Sequence, residues 1–158
     1  MKRPDFDKLC ADTFALLGHR FDSLPARAML WAIGRQEGRM FHRRQLGGPA
    51  RGLWQFERGG GVRGVLLHPS SDDHARKLCE ARHVGAIAAA VYPRLEHDDV
   101  LACGFARLLL YTDPKPLPAP IPANEEAGWA YYLRNWRPGK PHRDTWGDFW
   151  KEAVEISR

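Results

Sequence analysis

The sequence predicts a mainly α-helical protein, and two observations carry that expectation. Apolar residues recur at three- and four-residue spacings along most of the chain, the period of one helix face. No stretch shows the sustained alternation of a half-buried strand; only the glycine-rich 57–67 stretch suggests extended structure, as a small hairpin. With 158 residues, 44% of them apolar, the chain suits a single domain that buries one core.

Phe6, Leu9, Cys10, Thr13, Leu16 and Leu17 mark a helix over 4–17 that ends at Gly18. Ser23 and Pro25 start a second, with Ala26, Met29, Leu30 and Ile33 inward and Gly38 as its stop. Residues 39–51 hold arginines, Gly47-Gly48-Pro49 and few apolar groups, so they read as a loop. Leu53, Trp54 and Phe56 begin a short apolar turn, broken by Gly59-Gly60-Gly61. Ser70, Ser71 and Asp72 are caps for a helix carrying Ala75, Leu78 and Cys79. Val84, Ile87, Ala88, Val91 and Leu95 mark the next, kinked or ended by Pro93. Asp98 and Asp99 open another, with Leu101, Phe105, Leu108 and Leu109 inward, ending near Thr112.

Pro114, Pro116, Pro118, Pro120 and Pro122 make 113–123 a stiff connector laid over the surface. Residues 124–158 are too few for an independent core. Their two helices, with Trp129, Tyr132, Leu133 and Trp136 on one and Trp146, Phe149, Trp150 and Ala153 on the other, are expected to pack on the main domain.

The net charge of +5 favours polyanionic partners: nucleic acid, anionic membranes or a bacterial wall rich in carboxylates and phosphates. No DNA- or RNA-reading motif is present, so nucleic acid is not an obligatory partner. No window reaches the roughly 18 apolar residues of a membrane span. Lys2 and Arg3 are not followed by an apolar segment, so no signal peptide is expected. The three cysteines, Cys10, Cys79 and Cys103, indicate neither a disulfide framework nor a zinc ribbon. Cys79 and His83 are at best half of a metal site, because a metal needs three or four ligands; no metal or cofactor is expected.

Glu37 is the leading chemical candidate. It sits in the last turn of its helix and continues the row of Leu30 and Ile33, so it faces inward. A helix C-terminus disfavours a carboxylate, and burial does so more strongly; both raise a carboxyl pKa, as a general acid requires. Arg35, Arg39, Arg43, Arg44 and Arg51 oppose this, but exposed arginines are screened by water. On spacing alone, an ordinary surface glutamate at a helix end is the commoner case.

Ala32-Ile33-Gly34-Arg35-Gln36-Glu37-Gly38, followed through Gln45 by Gly52-Leu53-Trp54-Gln55-Phe56, resembles the lytic transglycosylase and goose-type lysozyme group. There, a helix ends in a catalytic Glu followed by Ser or Gly, and a loop leads to a Gly-Leu-Met-Gln-like turn. The resemblance covers about residues 25–57. It implies a lysozyme-like helical domain with Glu37 as the acid that cleaves the MurNAc–GlcNAc β-1,4 bond of peptidoglycan. It also implies substrate contacts from Gln55, Gln45, Trp54 as a sugar platform, and Tyr111 as an aromatic wall. The group's Ala-Tyr-Asn-Ala-Gly-like third motif is replaced here by Ala106-Arg107-Leu108-Leu109-Leu110-Tyr111-Thr112-Asp113, without the asparagine and glycine. In a lytic transglycosylase one carboxyl serves as acid and then base; a hydrolase needs a second carboxylate, for which Glu57 and Asp113 are the candidates.

Residues 129–141 look like small phage-encoded proteins of this kind. That implies synthesis in a host cytoplasm and action on the wall after release or within a phage particle. The alternative is a catalytically inactive phage structural or assembly protein that keeps the fold.

Overall fold

The computed structural model describes residues 1–158. The chain forms eight α-helices and no strand: α1 (Arg3–Leu17), α2 (Leu24–Gly38), α3 (Arg63–Leu67), α4 (Asp72–Ala81), α5 (Ala88–Arg94), α6 (Asp99–Thr112), α7 (Glu125–Trp136) and α8 (Arg143–Ile156). None is long and apolar enough to cross a membrane.

Two helices organise the rest. Nearly every residue of α6 from Leu101 to Leu110 is buried, and α2 is buried continuously from Ala28 to Gly34. Helices apolar on all sides belong inside a protein. Around α6 pack α1, α3 and α4; around α2 pack α6, α7 and α8. The contacts form one continuous core, in which Phe6 and Leu30 of the first helices and Trp129, Trp146 and Trp150 of the last two belong to the same cluster. Residues 124–158 therefore share the core of the preceding helices. The proline connector lies across them: Trp150 donates its indole N–H to the Ile121 carbonyl at 3.0 Å, and Tyr131 donates to Lys115 at 3.2 Å.

Local details refine the sequence reading. Ser23 caps α2, accepting from the Ala26 N–H, and Asp98 caps α6, accepting from Leu101. Ser71 and Asn124 precede their helices without making a side-chain cap; the Ser71 hydroxyl donates to the Val65 carbonyl instead. The expected hairpin over 57–67 is absent. A wide helical turn, Arg58–Val62, runs into α3 and buries Val62 and Val65 three residues apart, a helical spacing that outweighs the glycines. The helix expected from Val84 begins only at Ala88, because His83 takes a left-handed conformation (φ 54°) and Gly85 follows. Ile87 is left exposed, not inward. α2 ends at Gly38 as expected, but Arg39, at φ 55°, takes the left-handed cap, and Gly38 serves a further purpose described below.

Candidate active site

Glu37 lies in the last turn of α2, half-buried. The Tyr132 hydroxyl of α7 donates to Glu37 Oε1 at 2.6 Å. Glu37 Oε2 has no hydrogen bond within the chain, and no fully buried side-chain oxygen is left unpartnered, so this oxygen opens to solvent. Burial pushes the Glu37 carboxyl up to about 7, with the Tyr132 hydrogen bond pulling the other way. Removal from water disfavours the charged form, and one hydrogen bond recovers only part of that cost.

The nearby arginines do not restore it, because each is engaged elsewhere. Arg35 grips Glu152 of α8 with two hydrogen bonds, 2.8 and 3.1 Å. Arg43 pairs with Asp99, and Arg44 and Arg51 with Glu96. Arg39 lies over the Phe149 ring. The same contacts dock α8: Trp31 donates to Glu152, and Gln36 binds the His142 carbonyl and the Thr145 hydroxyl.

Tyr132 is held from behind by aromatics. It stacks on Trp146 (ring centroids 5.4 Å, 12° between planes), and Trp146 stacks on Trp150. Such pairs add roughly 0.5–1.5 kcal/mol beyond burial. The hydroxyl is thus aimed at Glu37 by a rigid stack.

The Gly52–Phe56 turn packs on the end of α2. A side chain at Gly38 would place its Cβ 3.1 Å from the Leu53 carbonyl oxygen and 3.7 Å from Gln55 Cγ. Glycine after the glutamate is what admits the turn. Gly34 does the same one turn earlier, where a Cβ would meet Met40 and the Trp54 indole nitrogen. The turn is closed by reciprocal backbone hydrogen bonds between Arg51 and Phe56. Gly52 (φ 78°) passes against Leu95, where a Cβ would come within 3.0 Å of its carbonyl.

Of the residues singled out from sequence, Gln55 packs beside Gly38, the residue that follows Glu37 at the end of α2. Gln55 sits in a left-handed conformation (φ 52°) and spends its amide N–H groups on the Gly52 and His42 carbonyls. Its side-chain oxygen makes no hydrogen bond within the chain. Trp54 is corrected: it is fully buried and donates to the Leu30 carbonyl at 2.9 Å. It is a core residue and offers no face to a sugar, because Gly34 leaves it room against α2. Gln45 is exposed; its oxygen accepts from the Ala50 N–H and its side chain folds over Gly48, which closes the 45–50 loop.

Tyr111 belongs elsewhere, packed against Phe21 and lining a cavity with Ser23 and Pro25 at the start of α2. Pro25 and Glu37 lie 12 positions apart on one helix, about 18 Å along the axis. Asp113 lines the same cavity and is tied to Arg134 and Asn135 at 2.6 and 2.8 Å. Burial alone would raise its pKa, but these hydrogen bonds and the Lys115 N–H hold it below the ordinary value. It is committed to an ion pair and is not free to act beside Glu37. Glu57 is exposed, one residue beyond Phe56, and its carboxylate makes no ion pair or hydrogen bond within the chain.

Two residues escaped the sequence reading. Tyr132 binds the acid, and Trp136, one turn later on α7, is half-buried, donates to the Trp54 carbonyl at 3.0 Å and packs near Phe56 at 5.9 Å. Their i, i+4 spacing places both toward the Glu37 end of α2, yet in sequence they read as core. Two cavities, of about 430 and 520 Å³, lie elsewhere, and neither includes Glu37. Comparison of the chain with protein-family models, characterised proteins and solved structures found no match.

Proposed function

We propose that the protein is a lysozyme-like glycosidase of the lytic transglycosylase type, which cleaves the MurNAc–GlcNAc β-1,4 bond of peptidoglycan with Glu37 as its single catalytic carboxyl. The observation that carries this reading is the half-buried Glu37, raised to about 7 and oriented by Tyr132 with one oxygen open. A group with that pKa is part protonated and part ionised at neutral pH, as a combined acid and base needs. Protonated Glu37 gives its proton to the glycosidic oxygen as the bond to C1 breaks. Ionised Glu37 then takes the C6 hydroxyl proton while O6 closes on C1, forming the anhydro sugar and restoring the acid. The commitment of Asp113 to Arg134 favours this route over one with a second carboxylate; Glu57 is the remaining candidate for that role.

Glu37→Gln keeps the shape of the side chain but cannot transfer a proton. A general acid contributes roughly 10²–10⁴-fold, so the variant should release no detectable muropeptides from peptidoglycan. Mass spectrometry of the wild-type products should show anhydro-muramic ends; reducing ends would assign the chemistry to activated water. Full activity in Glu37→Gln would refute the proposal. A second reading, a non-catalytic phage structural or assembly protein, is favoured by the lack of the asparagine and glycine of the group's third motif in 106–113. Absence of cleavage by the wild-type protein would select it.

A further inference from the structure

The cavity at the start of α2, about 520 Å³, is lined by two cations, Arg107 and Lys115, and one carboxylate, Asp113. Arg107 of α6 lines it, and that residue is only 6% exposed. Its Nε donates to the Phe21 carbonyl at 2.8 Å. The guanidinium lies over the Phe21 and Tyr111 rings, 5.4 and 6.0 Å to their centroids, but its two terminal nitrogens have no acceptor within the chain, and since no fully buried side-chain nitrogen is unpartnered, they reach the cavity. Arg107 forms no ion pair. Elsewhere the chain pairs its half-buried arginines with acids, as in Arg27–Asp22, Arg35–Glu152 and Arg51–Glu96. Burying an unpaired cation costs free energy that a protein ordinarily avoids. Burial pulls the Arg107 pKa below its ordinary value, which expresses the same cost.

The remaining lining repeats the pattern. Lys115 contributes a second cation that forms no ion pair. Ser70 and Tyr111 contribute hydroxyl groups with no partner in the chain, and Ser23 contributes a hydroxyl that caps α2 as an acceptor and keeps its proton to donate. The one carboxylate present, Asp113, is neutralised by Arg134 and has its oxygens occupied by Arg134, Asn135 and the Lys115 N–H. The wall is therefore rich in donors, positive, and short of acceptors.

We infer that this cavity is a binding site for a phosphate group, with the Arg107 guanidinium as its buried charge and the exposed Lys115 as its second cation. The edge formed by the two terminal nitrogens of a guanidinium matches two oxygens of one phosphate, and a lysine adds a point charge. Two cations favour a dianion over a singly charged carboxylate. The site stands on residues separate from Glu37 and does not depend on the proposed enzymatic activity.

Isothermal titration of the full chain with inorganic phosphate, against sodium chloride of equal ionic strength, tests the inference. sn-Glycerol 3-phosphate and acetate complete the set. The expected result is saturable binding of phosphate and little or none of acetate. A tighter fit for glycerol phosphate would identify the source as a phosphate ester, and equal or weaker binding would identify free phosphate. Lys115→Met, at an exposed position, should weaken binding by about tenfold with the fold unchanged, as loss of one charge-assisted contact does. Arg107→Met should abolish it. Glu37→Gln should bind phosphate as the wild type does. No saturable heat with either phosphate, or binding that Lys115→Met and Arg107→Met both leave unchanged, would overturn the site.

Discussion

The perturbed carboxyl of Glu37 makes a prediction that needs no substrate. An acid whose pKa is raised by folding holds its proton more tightly in the native state than in the unfolded chain. Its contribution is complete below the ordinary value of 4.5 and is lost as pH rises through about 7. At 1.36 kcal/mol per pH unit, the difference amounts to about 3 kcal/mol of native stability lost between pH 4.5 and pH 8. Glu37→Gln removes the titration while leaving an oxygen to accept the Tyr132 hydroxyl. The variant should therefore gain on the wild type across that window, with the difference flat below pH 4.5 and about 3 kcal/mol larger at pH 8. For a chain of this length that corresponds to about 6–12 °C in Tm. Thermal or denaturant unfolding of both proteins from pH 4 to pH 8.5 measures it. Parallel stability curves would mean that Glu37 titrates as an ordinary exposed glutamate, and would remove the physical basis for its role as an acid.

Tyr132→Phe deletes the one hydrogen bond that lowers the Glu37 pKa, so the pH at which the wild-type curve bends should move upward; a downward move would contradict the assigned causes. Trp54→Ala should cost about 3–5 kcal/mol in unfolding experiments, as large-to-small changes in a core do; an unchanged Tm with lost glycan binding would instead restore Trp54 as a surface platform. Deleting residues 124–158 removes the buried Trp129, Trp146 and Trp150, each worth on the order of 2–3 kcal/mol, and should lower Tm sharply; a truncated chain that melts with the full one would make the segment an appendage.

Much of the helical frame was legible because burial follows spacing. The row of Leu30, Ile33 and Glu37 is visible in sequence, and it correctly turned the glutamate inward at the helix end. What the spacing could not reveal is which partners meet across the fold. Arg35 finds Glu152 and Arg43 finds Asp99, over separations of 117 and 56 residues. The sequence therefore left the arginines as screened neighbours of Glu37 when they are committed to other acids. Trp54 misled for a related reason: its short turn looked exposed, and only the missing side chain of Gly34 lets the indole sink onto α2. Gly34 four residues beyond Leu30 was the available clue. Val62 and Val65 offered a similar one against the hairpin, since their spacing is helical.

The C-terminal segment determines the chemistry of the acid as well as the stability of the core. α2 alone would present Glu37 at an exposed helix end, where its pKa would stay near the ordinary value. The segment changes this in two ways. Through Glu152 it draws Arg35 onto α8, and through Tyr132 it covers one carboxyl oxygen while the other stays open. The hydrogen bond lowers the pKa, so the rise to about 7 is a net result in which desolvation outweighs it. Both effects require α7 and α8 to sit closed on α2. The same docking is held by buried rings, Trp146 stacked between Tyr132 and Trp150, and by the part-exposed Arg35–Glu152 ion pair, of which salt screens only the second. The acid's pKa should consequently respond less to ionic strength than to any change that loosens this aromatic stack.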